Sequence, residues 1–405
     1  MEPPIELDGA TTIQCVDMHT TGEPARIIYR GYPEMIGTLH DQRAEAQRKH
    51  DRIRKYLMLE PRGHVDMYGA LLRPQTELTA TGAAHIGVLF LTGEGYSTMC
   101  GHATIALGRF LIDTHDKTVF PFRDSVPTDP STNTATINLH APCGLVVVTV
   151  PVTSDGHKSD PSRPVSFVSV PSFATGIDVS IPVPESLPGL KPAVESHHYT
   201  ASIAYGGAFF LLPRLHSSRS HSDQINYLDL STLSTSAFGL KTAFNSSPEL
   251  LDKYCRVPGS STLDKMFGTI ITHPLSTKAD PTRNIAGAEL GMNFFGTDQF
   301  DRSPCGSGVA AREALAFAKG ERKIGQRWAY HSVVSKAKGQ GEMFGMVESE
   351  CAIDGSEGKG AVRVRIEAKA FYSGFGSWVV EAADEVGRDG FGLKGVVDEI
   401  NRAGL

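Results

Sequence analysis

The chain alternates short apolar runs with longer polar stretches, and the spacing of the runs predicts a mixed α/β fold. Residues 12–31, "TIQCVDMHTTGEPARIIYRG", place apolar residues on either side of a polar loop and read as a strand-like opening. Residues 41–58, "DQRAEAQRKHDRIRKYLM", hold helix formers without Gly or Pro and predict a charged surface helix. "EPRGHVDMYGALL" (60–72) starts as a loop and runs into a strand, and "HIGVLFLTGEGYSTM" (85–99) reads as a buried strand ending in a Gly-rich turn. After Cys100, apolar residues recur at Ala103, Ala106, Leu107, Phe110 and Leu111, which is helical spacing with one buried face. Residues 134–152 and 165–171 alternate as strands around the polar loop "TSDGHKSDPSRP".

The second half repeats this logic. The strand-like "GMNFF" (291–295) is followed by a loop, by Cys305, and by a helix carrying Gly308, Ala311, Leu315 and Ala318 on one face. "AVRVRIEAKAFYSG" (361–374) alternates as a strand. The proline-rich "IPVPESLPGLKP" (181–192) is the candidate domain crossing, and residues 215–262, with weak periodicity, read as a surface insertion. The expected division is an N-terminal lobe at 10–189 carrying Cys100 and a C-terminal lobe at 190–375 carrying Cys305. Residues 376–405 are expected to pack back on the first lobe.

Composition adds exclusions. A chain of 405 residues favours two or three domains, and 40% hydrophobic with 21% charged residues is ordinary for a soluble globular protein. A formal net charge of −6 with no Lys/Arg-rich tract argues against nucleic acid or an anionic membrane as partner. The apolar runs are too short to span a bilayer, and "MEPPIELDGATTIQ" lacks the basic and apolar regions of a secretory signal, so a cytoplasmic location is expected. The six cysteines are scattered without a CxxC, so reduced thiols are expected rather than a disulfide scaffold or a zinc module.

Two of those cysteines share a local frame. "CGHATIA" from Cys100 and "CGSGVAA" from Cys305 align as C-G-polar-small-x-x-A, each opening a helix. A helix N-terminus offers unpaired N–H groups and a partial positive charge, which eases ionisation of a thiol and can hold a carboxylate. Two such ends facing each other would place the α-carbon of a small amino acid between two sulfurs. One thiolate removes the α-proton and the opposite thiol returns one to the other face. Asp301 supplies negative charge for an ammonium and His102 a second polar contact. No nicotinamide, phosphate-loop or metal signature is needed for this chemistry, and none stands in the sequence.

These residues resemble the proline racemase family, which includes proline racemases, 4-hydroxyproline 2-epimerases and trans-3-hydroxy-L-proline dehydratases. The resemblance rests on "MHTTGEP" (18–24), "EPRGHVDMYGA" (60–70), "MCGHATIALG" (99–108) and "DRSPCGSG" (301–308), in the expected order over most of the chain. It implies an α/β (α+β) fold of two similar pseudo-symmetric lobes, like diaminopimelate epimerase, with the active site in the cleft between them. It also implies no cofactor, a small-molecule substrate (proline or hydroxyproline) and a homodimer. By this resemblance Cys100 and Cys305 match the catalytic thiols, and Gly101, His102, Gly306 and Ser307 match substrate contacts beside them. Asp301 matches the residue that holds the ring nitrogen, and Tyr68 and Phe295 match aromatic pocket walls.

The wording around Cys100 resembles the dehydratase branch, whose members usually carry Thr where this chain has Cys305. A cysteine pair is what two-base inversion requires, so a racemase or epimerase is expected, with a trans-3-hydroxy-L-proline dehydratase using Cys100 as base the alternative. A non-enzymatic amino-acid-binding protein on the same scaffold is a third reading. Other residues read blandly. His102 as a zinc ligand lacks a fourth partner, and Asp301 read on its own is a cap for the following turn. His19, Glu23, His64 and Asp66 read as loop braces, and Cys15, Cys143, Cys255 and Cys351 as packing residues.

Overall fold

The computed structural model describes residues 11–184, 186–190, 197–213, 230–258, 265–275, 280, 283–296, 299–353 and 359–403. Residues up to Val165 together with those from Lys369 form one compact unit, and Ser166–Ala368 form the other. The proline-rich 181–192 stretch, expected at a domain crossing, lies inside the second unit, where Ile181, Leu187 and Leu190 are buried.

In the first unit, strand β1 (Thr11–Thr20) pairs antiparallel with β2 (Glu23–Arg30). On its other side it pairs antiparallel with the last strand of the chain, β19 (Ala370–Val380), with Cys15 opposite Gly376. Strand β2 runs parallel to β3 (Tyr68–Arg73), and β3 antiparallel to β4 (Ile86–Leu91). Strand β4 pairs with the short β5 (Tyr96–Ser97) and runs parallel to β7 (Thr134–Ala141). The two-residue β6 (Thr128–Asp129) edges β7, which is antiparallel to β8 (Gly144–Pro151).

Parallel neighbours need a long crossover, and here each crossover carries helices. Helices α1 (Leu39–Lys49) and α2 (Asp51–Met58) join β2 to β3, α3 (Glu77–Ala80) sits between β3 and β4, and α4 (Gly101–Asp113) lies between β4 and β7.

The second unit begins with β9 (Val165–Val168) and then repeats the same series of pairings. Strand β10 (Phe173–Pro182) is antiparallel to β11 (His198–Tyr205), and β11 antiparallel to β12 (Phe209–Pro213). Strand β12 is parallel to β13 (Met266–Leu275), and β13 antiparallel to β14 (Gly287–Phe295). Strand β14 pairs with β15 (Gln299–Phe300) and runs parallel to β16 (Arg327–His331), which is antiparallel to β17 (Met343–Ala352). Strand β18 (Lys359–Ala368) closes the series against β17.

The crossovers repeat as well. Helices α5 (Leu230–Asn245) and α6 (Pro248–Tyr254) lie between β12 and β13, and α7 (Gly306–Ala318) between β14 and β16. Helix α8 (Val333–Lys338) follows β16, and α9 (Leu393–Ala403) ends the first unit. No helix among the described residues is long and apolar enough to cross a membrane.

Other expectations meet a different outcome as well. The weak periodicity of residues 215–262 predicts a surface insertion. The described part holds α5 and α6, which bury Leu233, Ala237, Leu240, Phe244 and Leu251; residues 214–229 and 259–262 lie outside the described residues. The stretch is the connection that a parallel β12–β13 pair requires, as α1 and α2 are for β2–β3. The 41–58 helix is two helices broken at His50, and Arg54, Tyr56, Leu57 and Met58 are buried rather than on a charged surface. The alternating 361–374 run is two strands split at Lys369, the unit boundary, because alternation encodes which face is apolar but not which partner the strand takes.

Helices α4 and α7 are enclosed on all sides instead of along one face. Every residue of α4 from Gly101 to Gly108 is buried, as is every residue of α7 from Gly306 to Ala316. A helix without a wet face belongs in a core. Small residues allow the close fit: a Cβ on Gly108 would stand 2.7 Å from Val148 Cγ1.

Burial of α7 has an electrostatic consequence. Glu313 is fully buried, and the hydroxyl of Tyr330 donates to its Oε1 at 2.7 Å. Burial pushes the Glu313 carboxyl up to about 7. The folded protein therefore holds a proton here that the unfolded chain releases, and stability is lost as pH rises from about 4.5 to 7. We expect Glu313→Gln, which keeps the Tyr330 bond, to flatten the fall of melting temperature between pH 5 and 8. The difference corresponds to at most about 3 kcal/mol. An unchanged pH slope by calorimetry would show that Glu313 is not the titrating group.

Candidate active site

Each enclosed helix begins at a cysteine. Cys100 is the N-cap of α4; its backbone is extended (φ −145°, ψ 104°), and its carbonyl accepts from the Thr104 N–H at 3.0 Å and the Thr104 hydroxyl at 2.8 Å. Cys305 is the N-cap of α7 and lies at φ +64°, ψ 102°, a region that L-residues avoid. Such a conformation costs on the order of 1–3 kcal/mol and persists only where the surroundings impose it. Both residues are buried, and all six cysteines are thiols.

Around Cys100 the first unit brings together Gly101, His102 and Tyr68. The sulfur lies 3.5 Å from both ring nitrogens of His102. The Tyr68 ring meets the His102 ring edge-on at 4.7 Å between centroids. Thr20, in the "MHTTGEP" loop, donates its hydroxyl to the His102 carbonyl at 2.8 Å. That bond ties the β1–β2 turn to the start of α4. The contact is made by a threonine the sequence reading did not single out, beside His19 and Glu23, which it read as loop braces.

Around Cys305 the second unit brings together Gly306, Ser307 and Asp301, with Phe295 joined to the Cys305 cluster through Phe267. The Ser307 hydroxyl lies 3.6 Å from the Cys305 sulfur. Asp301 is buried; its Oδ1 accepts the Ser303 N–H at 2.8 Å, and the Ser303 hydroxyl accepts the Cys305 N–H at 3.1 Å. The aspartate thus caps the turn, as its bland reading held. Phe295 stacks on Phe267 at 5.7 Å with an interplanar angle of 10°.

Arg312 is a second residue the sequence reading missed. It stands two turns into α7 and is 3% exposed. Its Nη2 donates to the Pro304 carbonyl at 2.7 Å, its Nε to the Gly308 carbonyl at 3.3 Å, and its Nη1 pairs with Glu289 at 3.0 Å. One guanidinium thereby fixes the backbone on both sides of Cys305. Only the i, i+7 spacing from the cysteine carried a signal for it, and that spacing is common to any helix.

The electrostatics of Cys305 run against the sequence expectation. The helix start acts in the expected direction, through the Gly308 N–H, and so do Ser307 and Arg312. Burial and the negative charge of Asp301 outweigh them and push the thiol well above its ordinary range. Cys305 is therefore a protonated thiol near neutral pH.

The chain itself can be placed among known proteins. It matches the sequence profile of the family described as Proline racemase over residues 15–391. Trans-L-3-hydroxyproline dehydratase of Bos taurus is 38% identical over 390 residues, covering 95% of this chain and 96% of the relative. Proline racemase A of Trypanosoma cruzi is 32% identical over 388 residues, covering 94% and 82%. The fold is that of a crystallised hydroxyproline epimerase from Agrobacterium vitis with bound trans-4-hydroxy-L-proline, at TM-score 0.68, 22% identity and 95% coverage of both chains. The fold is mixed α/β, and the family match with its curated relatives makes the protein an enzyme. It belongs to the proline racemase family.

Arg312 gives this site its own test. Removing the guanidinium charge in Arg312→Gln leaves Cys305 harder to ionise. The pH midpoint for iodoacetamide labelling of Cys305, followed by peptide mass spectrometry, should move up, with a loss of roughly 3 kcal/mol of stability from the broken buried pair. A midpoint that stays or falls would show that Arg312 does not act on the thiol.

Proposed function

We propose that this enzyme inverts the α-carbon of proline or a hydroxyproline without a cofactor, using Cys100 and Cys305 as its two acid–base groups. The observation that carries the reading is the repeated architecture. The two units share one series of strand pairings, and at the same place in each series an enclosed helix starts at a cysteine. Inversion needs two proton-transfer groups on opposite faces of one carbon, and the repeat supplies two.

The remaining roles follow from the chemistry at each helix start. The N–H groups that open α4 and α7 are suited to the substrate carboxylate, where negative charge grows as the α-proton leaves. Gly101 and Gly306 let a ligand approach that backbone. His102 and Ser307 offer polar contacts beside the sulfurs, and Tyr68 and Phe295 offer ring walls. Asp301 takes the cationic ring nitrogen. That pairing has a further effect, since the charge it neutralises is one of the causes holding the Cys305 thiol protonated. Substrate would thus ease ionisation of the group that must exchange its proton. In one direction Cys100 removes the α-proton and Cys305 delivers its own to the opposite face; in the other the roles reverse.

A second reading is favoured by one observation: the bovine and human relatives, at 38% and 37% identity, are named trans-3-hydroxyproline dehydratases. In that reaction Cys100 takes the α-proton, the electron pair left behind forms the C2–C3 double bond as the C3–O bond breaks, and the Cys100 thiol returns its proton to the departing hydroxyl, which leaves as water. Cys305 is then not needed as a second base.

Proton NMR in heavy water separates the two, with L-proline, trans-4-hydroxy-L-proline and trans-3-hydroxy-L-proline supplied in turn. We expect the α-proton signal to be lost and the opposite configuration to grow, and Cys100→Ser or Cys305→Ser to slow this by roughly 10²–10⁴-fold. Retained inversion in Cys305→Ser would sink the two-thiol mechanism. Conversion of trans-3-hydroxy-L-proline to a dehydrated pyrroline would establish the second reading instead.

A further inference from the structure

Among the buried polar side chains of the Cys305 unit that the reading above does not use, Asn293 stands out because both atoms of its amide lack a partner among the described residues. Asn293 lies on β14 and is 2% exposed. Both its Oδ1 and its Nδ2 are buried and lack a hydrogen-bond partner among the described residues. A primary amide carries two N–H donors and a carbonyl acceptor, and buried polar groups of this kind are almost always paired. An orphaned amide needs an explanation.

Its placement supplies one. Asn293 is opposite Ile270 in the β13–β14 ladder, and Phe295 is opposite Gly268. Residues directly opposed in an antiparallel pair share a face, so Asn293, Phe295, Gly268 and Ile270 all lie on one side of the sheet. That side faces α7: Ile270 packs in one cluster with Cys305, and a Cβ on Gly291, two residues before Asn293, would overlap the Arg312 guanidinium. The absence of a side chain at Gly268 makes room for the amide, since a Cβ there would stand 2.7 Å from Asn293 Oδ1. The Asn293 carbonyl also accepts the Asp301 N–H at 3.0 Å. The orphan amide is thus one residue along the strand face from Phe295, and its backbone is bonded to the residue proposed to hold the ring nitrogen.

We propose that Asn293 is a specificity-determining residue that reads a hydroxyl on the substrate ring. The inference rests on the proposed function. A hydroxyl donates one hydrogen bond and accepts others, which complements an amide able to do both. Unsubstituted proline leaves the amide unpaired. A site whose buried polar group is built for a substrate hydroxyl rejects the analogue that lacks it far more strongly than an apolar pocket rejects a missing methylene.

The experiment compares the wild-type enzyme with Asn293→Leu and Asn293→Ala. The readouts are kcat/KM for loss of the α-proton from trans-4-hydroxy-L-proline, trans-3-hydroxy-L-proline and L-proline, and the melting temperature without ligand. The wild-type enzyme should prefer one of the hydroxylated substrates. Both variants should lose roughly 100-fold or more on that substrate while L-proline changes by less than about threefold. Asn293→Leu should melt no lower than wild type, because it removes an unpaired buried amide; Asn293→Ala keeps the test open if leucine does not fit. An equal fall on all substrates, or none, overturns the inference, as does a wild-type preference for L-proline. In each of those cases the acid–base reading stands. Absence of any reaction at the α-carbon in the wild-type enzyme is the separate failure of the proposed function.

Discussion

Helices α4 and α7 are buried all round from Gly101 to Gly108 and from Gly306 to Ala316, and that condition organises each unit around them. A helix buried over three turns must be surrounded, strands supply the surround, and its few polar side chains, such as Arg312 and Glu313, find partners inside it. Gly108 and the alanines of α7 let the strands come close. Parallel neighbours at β2–β3, β4–β7, β12–β13 and β14–β16 then require long crossovers, which accounts for every longer helix of the two repeated series. The start of each enclosed helix is buried with it, so each N-terminal thiol stands beside the first N–H groups of its helix, away from solvent.

Dryness sets the terms for the charges. At Cys305 the helix start, Ser307 and Arg312 favour the thiolate, and burial with Asp301 opposes it more strongly. The same low polarity that holds the thiol protonated would strengthen every hydrogen bond offered to a substrate carboxylate. Glu313 answers the same environment by holding its proton to about 7, with Tyr330 as its donor. The positive φ of Cys305 fits this picture. It is maintained by two neighbours that make three bonds to the backbone around it: Ser303 to its N–H, and Arg312 to the carbonyls of Pro304 and Gly308.

The candidate site was legible in the sequence to the extent that its residues are close along the chain. Cys100 with Gly101 and His102, and Cys305 with Gly306 and Ser307, each sit within one turn of a helix, and Asp301 within the preceding turn. Helical spacing and the recurrence of C-G-polar-small expose them directly. Tyr68 beside His102, Thr20 on the His102 carbonyl and Asn293 at the Asp301 N–H come from other strands. Nothing in local spacing joins Thr20 to His102, because a contact across 82 positions is made by the sheet.

The sequence alone determined the mixed α/β character, the helices that follow each cysteine and the repeated local frame, because periodicity and capping act over a few residues. Tertiary structure decided the rest. It turned one alternating run at 361–374 into two strands that serve different units, and it made residues 230–254 a crossover instead of an insertion. It also buried Cys305 beside Asp301 deeply enough to outweigh the helix start, which acts in the expected direction. In each case the deciding term is what lies across the ladder or around the helix. A strand's pattern tells which face is apolar, and a helix start tells where positive potential lies. Neither tells how deeply the fold buries them.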